Sequence, residues 1–148
     1  MILYIVAIVL VVVLLLLLSA VWPPDSPWSP WWKTYKDAGM GIITLAKIDK
    51  NDTVYELGSG DGEFLLLLGK KIGAKSVGIE IDPLRHYIAK LRVRLAGMED
   101  TITLKKKSFH DEDISNATVV YVYLIPRVLK KILPKFKKYL KKGKKFIY

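Results

Sequence analysis

The sequence predicts an α/β fold built on a parallel sheet, and three observations carry that prediction. From residue 33 onward, β-type runs alternate with helix-type runs: TVYEL (53–57), SVGIEI (76–81), TITLK (101–105) and ATVVYVYL (117–124) stand apart by intervening amphipathic stretches. Such alternation packs as parallel strands joined by right-handed crossovers. ATVVYVYL is apolar at nearly every position, as expected of a central strand covered on both faces. Glycines at 73 and 97 follow the two clearest helical stretches, the usual stop signal for a helix.

The elements follow in order. Residues 1–22 contain no charged side chain, and about 20 apolar helical residues match a ~30 Å hydrocarbon core. No Lys or Arg precedes the run, and it is longer than the 7–15-residue core of a signal peptide; Ser19-Ala20 offers only a minimal cleavage site. An uncleaved transmembrane anchor is therefore expected. The first lysines, Lys33 and Lys36, lie after the run, so the positive-inside tendency expects a single-pass membrane protein with the following domain on the cytoplasmic side. PPDSPWSPWW (23–32) is too rich in proline to continue a helix. Its Trp28, Trp31 and Trp32 suit a membrane interface, or a flap over a cleft. The remaining domain is 33–148.

Within that domain, residues 33–47 have helical spacing, with Ala38, Ile42, Leu45 and Ala46 on one side. The strand 53–57 leads through a glycine-rich turn into a helix over 63–72. The next strand, 76–81, runs into Asp82-Pro83, an N-cap followed by proline at the first helical position, and a helix reaching Ala96. The strand 101–105, the polar loop His110–Asp113 and the strand 117–124 follow. Residues 127–141 are an amphipathic helix, with Leu129, Ile132, Leu133, Phe136 and Leu140 inside and Lys outside. A last strand begins at Lys144.

Charge is unevenly placed. Residues 33–100 hold 11 basic and 10 acidic side chains, whereas residues 101–148 hold 13 basic and 3 acidic. The Lys-rich segment 127–145 is expected either to be a solvated helix face or to meet anionic lipid headgroups; nucleic acid is not the expected partner.

The turn after the first strand reads VYELGSGDGEF (54–64). The dinucleotide fingerprint is G-x-G-x-x-G, but here the glycines are 58, 60 and 62, one position too early at the third. Glu56 stands just before them. A pyrophosphate beside that carboxylate would meet like charge, whereas a cationic ligand would not. No Gly-Lys-Ser/Thr follows, so the turn is not a P-loop.

VYELGSGDGEF together with SVGIEIDPLR resembles motifs I and II of the class I S-adenosylmethionine-dependent methyltransferases. The resemblance implies a Rossmann-like sheet of about five parallel strands in this chain, after the anchor, and S-adenosylmethionine as cofactor. It implies that Gly58, Ser59, Gly60, Asp61 and Gly62 pass the methionyl part of the cofactor. By the same resemblance, Glu56 lies near its ammonium and Glu80 binds the ribose hydroxyls. PWSPWW, the glycine loop, GAKSVGIEIDPLR and VYLIP are similar to the membrane-anchored protein-lysine methyltransferases of the ATP-synthase c-subunit and adenine-nucleotide-translocase type, and to their prokaryotic relatives. That similarity implies a protein-lysine N-methyltransferase.

Tyr123-Leu124-Ile125-Pro126 stands where nucleobase amino-methyltransferases carry an Asn/Asp-Pro-Pro-aromatic tetrad, without the amide or acid that accepts from an exocyclic amine. Tyr123 and Pro126 are the candidates for lining the acceptor channel. Ser108, or Asp111, stands where relatives place an acid on the adenine. His86 and His110 are expected to be packing or surface residues. No metal is expected, and no dedicated base, because a buried lysine amine loses its proton readily. The family continues past the fifth strand, so a C-terminally shortened domain with its last strands missing and an open sheet edge is expected. A lipid- or quinone-directed methyltransferase and a non-catalytic cofactor-binding remnant remain alternatives.

Overall fold

The computed structural model describes residues 1–21, 34–124, 126–137, 139 and 143–148, except for the side chains of 19–21 and 135. The chain divides into two compact units, Met1–Trp32 and Lys33–Tyr148.

The first unit contains helix α1 (Ile2–Val21), whose described side chains, to Leu18, are all exposed. Among the described residues, no helix is long and apolar enough to cross a membrane. The expected transmembrane anchor, and the single-pass location with the catalytic domain on the cytoplasmic side, are corrected accordingly. The Pro/Trp linker 23–32, with Trp28, Trp31 and Trp32, lies outside the described residues.

The second unit is a five-stranded sheet with helices between its strands. Its elements are α2 (Lys36–Leu45), β1 (Thr53–Leu57), α3 (Glu63–Lys71), β2 (Lys75–Glu80), α4 (Pro83–Leu95), β3 (Ile102–Lys106), β4 (Val119–Val122), α5 (Pro126–Lys137) and β5 (Lys145–Ile147). The sheet order is β3-β2-β1-β4-β5, every pair parallel. The chain steps outward from β1 through β2 to β3, then returns to the other side of β1 for β4 and β5. Strand order therefore reverses between β1 and β4, the place where such sheets bind ligands beyond their carboxyl ends.

The period-2 alternation of the strands sorts the core. Tyr55, Leu57, Val120 and Val122 face one layer, where Ile132 and Phe136 of α5 cover them. Val54, Val119 and Tyr121 face the other, against Ile43 of α2 and Phe64 and Leu68 of α3. Leu65 and Leu66 of α3 join Val93 of α4 and Ile102 of β3 in a third cluster. Asp82 caps α4, accepting from the Arg85 N–H at 2.8 Å, and Pro83 takes the first turn. Such a cap is worth about 1 kcal/mol. Gly73 and Gly97 follow α3 and α4 with φ of 73° and 64°.

Two boundaries differ from the expectation. The apolar run 117–124 is a strand only over Val119–Val122. The Ala117 N–H instead closes a turn onto the Ile114 carbonyl, at 3.1 Å, and Tyr123 leaves the ladder. Apolar character fixed the burial of this segment, while pairing to the short β1 fixed its length. The lysines of 127–145 do not share one helix, because α5 ends at Lys137. Lys145, in β5, donates to the Lys47 carbonyl at 2.9 Å and lies 3.6 Å from Asp52, and Lys144 donates to the Ser115 carbonyl. These two cations are engaged in contacts within the domain.

Candidate functional site

The site forms where β1, β2 and β4 end. Register pairs Glu56 with Gly78 of β2 and with Tyr121 of β4. Paired residues of parallel strands point the same way, and Glu80 lies two residues past Gly78. Glu56, Glu80 and Tyr121 therefore all face the layer of α2 and α3. Gly78 keeps that layer open: a Cβ there would lie 2.4 Å from Leu65 Cδ1 and 2.8 Å from Ser59 Oγ.

The turn between β1 and α3 takes its shape from its glycines. Gly58, Gly60 and Gly62 have φ of 82°, 52° and 77°, the left-handed region that costs other residues about 1–2 kcal/mol. The Gly58 and Ser59 N–H groups donate to the Ile79 carbonyl at 2.8 and 3.0 Å, folding the turn back over β2. Glu80 then holds it in place. One carboxylate oxygen accepts from the Gly60 N–H and the other from the Asp82 N–H, each at 2.8 Å. A single side chain thus joins the glycine turn to the start of α4.

Among the described residues, two buried side-chain oxygens here have no hydrogen-bond partner, Glu56 Oε2 and Ser59 Oγ. Glu56 is only 5% exposed. Burial pushes its carboxyl well above the ordinary carboxylate value, and the negative charges of Glu80 and Asp61 add to the effect. Glu80 is 8% exposed. Burial raises it too, opposed by the backbone N–H groups of Asp82 and Gly60 and by Arg85. Buried polar groups are almost always satisfied. An orphaned carboxyl oxygen and hydroxyl beside a glycine turn fit a ligand that brings a cation and hydrogen-bond donors.

Residues of α2 and of the segments that carry β4 and β5 line a cavity of about 220 Å³. Its walls include Tyr35, Ile42, Tyr121, Tyr123 and Tyr148. Tyr121 belongs to both neighbourhoods: its register partner is Glu56, while its hydroxyl lies 3.5 Å from Thr34 Oγ1 at the cavity wall. Burial pushes the Tyr121 hydroxyl up to about 12, so it is neutral near pH 7.

The structure brings together Glu56, Gly58, Ser59, Gly60, Asp61, Gly62 and Glu80. Ser108 caps the short turn Phe109–Asp111, accepting from the His110 N–H at 3.2 Å, while Asp111 is exposed. Tyr123 lines the cavity; Pro126 is exposed at the start of α5. His86 is buried edge-on against Tyr87, and burial together with Lys90 and Lys106 lowers its basicity. His110 is exposed against Phe109. Sequence reasoning missed Arg92 and Tyr121. Arg92 reaches the turn from α4 and ion-pairs with Asp61 at 2.7 Å. Its signal was faint, an arginine one helical face away from an acidic turn; Tyr121 read as an ordinary core aromatic.

The profile of the ANTKMT methyltransferase domain matches residues 56–148. A protein-lysine N-methyltransferase of Saccharolobus islandicus is 34% identical over 107 residues, covering 72% of this chain and 66% of that protein. A ribosomal protein L11 methyltransferase of Alkaliphilus oremlandii is 31% identical over 116 residues, covering 77% of this chain but 37% of its own length. The chain thus spans two thirds or less of these relatives. Among solved structures, an RNA methyltransferase from Salinibacter ruber in complex with S-adenosyl-L-homocysteine superposes with a TM-score of 0.74 at 36% identity, over 76% of this chain and 74% of that one. A methyltransferase from Geobacter sulfurreducens, at 21% identity and a TM-score of 0.63, covers 71% of this chain and 44% of its own and shares the fold.

Proposed function

The chain belongs to the ANTKMT methyltransferase domain family, its core is an S-adenosylmethionine-dependent methyltransferase domain, and on that premise we propose that it methylates the side-chain amine of a protein lysine. The observation that carries this reading is the pairing of two sites across Tyr121. On one side are the glycine turn, Glu80 and the orphaned Glu56 carboxyl; on the other is an apolar, tyrosine-walled cavity.

The residues present fit S-adenosylmethionine. Glu80 would take the ribose hydroxyls, the turn 58–62 would approach the methionyl chain, and Glu56 would face its ammonium. Ser108 would stand beside the adenine. When bound, the cofactor supplies a sulfonium methyl group for an in-line displacement. Catalysis is then chiefly positioning. A lysine entering along Tyr121 and Tyr123 would leave water for apolar walls, which favours the neutral, nucleophilic amine. The part of this chain would be to hold that amine neutral between Tyr121 and Tyr123, with its spare proton free to leave to solvent. Tyr121 is neutral and serves as a wall; Pro126 would edge the same channel.

The lysine acceptor is supported by the Saccharolobus relative and by the Tyr123 position, which offers a hydroxyl where nucleobase enzymes need an amide or acid. The test incubates the full chain with methyl-labelled cofactor and a protein extract, then identifies labelled residues after acid hydrolysis. Label in methyl-lysine is expected. Label confined to RNA, lipid or quinone would remove the proposal in favour of those acceptors. Tyr123→Ala should raise the acceptor KM and leave the affinity for S-adenosylhomocysteine unchanged.

A further inference from the structure

The glycine turn is held by side chains from two elements. Glu80 grips the Gly60 N–H from β2. Arg92, on α4, grips the next residue: Nη1 donates to the Asp61 carbonyl at 3.0 Å and pairs with Asp61 Oδ2 at 2.7 Å. Nη2 pairs with Glu63 in the first turn of α3. One planar guanidinium thus engages a backbone oxygen and two carboxylates drawn from the turn and the helix it opens. Its rigid fork suits this in a way an ammonium does not. Asp61 lies between two glycines of positive φ, so the turn has little steric preference of its own to define its apex.

The contact also has an electrostatic side. Among the described residues, the ionisable groups around the buried Glu56 carboxyl are Glu80 at the end of β2, Asp61 in the turn and Tyr121 on β4. Tyr121 is neutral, so the charges of described residues that act on Glu56 are those of Glu80 and Asp61. Arg92 pairs with the second of these.

We propose that Arg92 is a positioning residue for the cofactor: it fixes the apex of the glycine turn and offsets the Asp61 charge beside Glu56. The inference rests on the methyltransferase reading above, in which Glu56 must be ionised to receive the ligand's ammonium. Without Arg92, the Asp61 charge would push the Glu56 carboxyl further up, and binding would demand ionisation of a more strongly protonated group.

The test is calorimetric binding of S-adenosylhomocysteine to the full chain from pH 5 to 9, with thermal melts confirming folding. Arg92→Gln should weaken binding by roughly tenfold near neutral pH, the scale of a lost charge-assisted hydrogen bond, with the deficit widening as pH falls. The pH midpoint of binding should move to higher pH. Adding Asp61→Asn should return the midpoint while leaving a residual loss, because the side-chain charge is gone but the carbonyl tether is not restored. Arg92→Lys keeps the charge and is the variant to read if Arg92→Gln does not fold; it should keep the wild-type midpoint with weaker binding. Wild-type affinity at every pH in the folded variants would overturn the inference. So would a loss equal at every pH in Arg92→Gln, which is what scaffolding alone predicts. Failure of the wild-type chain to bind at all would instead overturn the cofactor reading, and the Arg92 role with it.

Discussion

At Glu56 a carboxyl is buried with one oxygen unpartnered, next to two other acids. Its folded-state pKa lies above the value of 4.5 expected in the unfolded chain. The protonated form is thus the one that folding favours. Its contribution to stability is full below about pH 4.5 and is lost as pH rises through the raised folded value. Glu56→Gln should therefore raise the melting temperature of the ligand-free protein near pH 8 and make little difference near pH 4, while weakening S-adenosylhomocysteine binding. No gain over the wild-type melting temperature near pH 8 would show that the site is open to water. Glu80 is the opposite case, a carboxylate whose two oxygens are both engaged by backbone N–H groups. Glu80→Gln keeps the shape and loses one acceptor and the charge. It should weaken binding by about ten- to a hundredfold, as expected for hydrogen bonds to an ionised group, and calorimetry measures this directly.

At the scale of elements, two packings hold the site open and the sheet closed. β2 must pass beneath the glycine turn and α3, and Gly78 permits it. In Gly78→Ala, Leu65 and Ser59 must shift, so denaturant unfolding should record a loss of about 1–3 kcal/mol. α5 anchors through Val128, Ile132 and Phe136, and Phe136 is fully buried against the β1/β4 face. Phe136→Ala should cost about 3–5 kcal/mol in the same measurement. A much smaller loss would mean that α5 contributes little to the sheet. Near the other edge, Glu112 is buried between Lys105 and Lys107, at 2.6 and 2.7 Å, and pins the polar loop to β3. These ion pairs fall on the segment that carries Ser108, so its geometry depends on β3 as well as on its own sequence.

At the scale of the molecule, the unit Lys33–Tyr148 gathers three strand ends and two helix starts around one site. A ligand bridging them favours the folded state by mass action. S-adenosylhomocysteine at a hundredfold excess over its Kd should stabilise the protein by about 2.7 kcal/mol, read as a rise in melting temperature. No rise under saturating ligand would contradict the site. The lysine excess after residue 100 is not one surface, since Lys105, Lys107, Lys144 and Lys145 are committed to contacts within the domain.

The sequence by itself determined the parallel α/β architecture, because alternation of period and the glycine stops are local signals. It also determined the glycine turn with its acid partner, because Glu56 and Glu80 stand at the ends of adjacent strands whose register is set by one crossover. It misjudged the extent of the strand 117–124 and of the last helix, since ladder length depends on the partner strand and not on apolar character. An apolar run of leader length was likewise not enough to establish a span. Only the tertiary structure decided that Tyr121, the register partner of Glu56, also lines the cavity, that Arg92 reaches back 31 residues to the turn, and that one oxygen of Glu56 is left without a partner among the described residues. Each is a contact between elements distant in the chain, set by how strands align and helices cross, and no short window of residues encodes it.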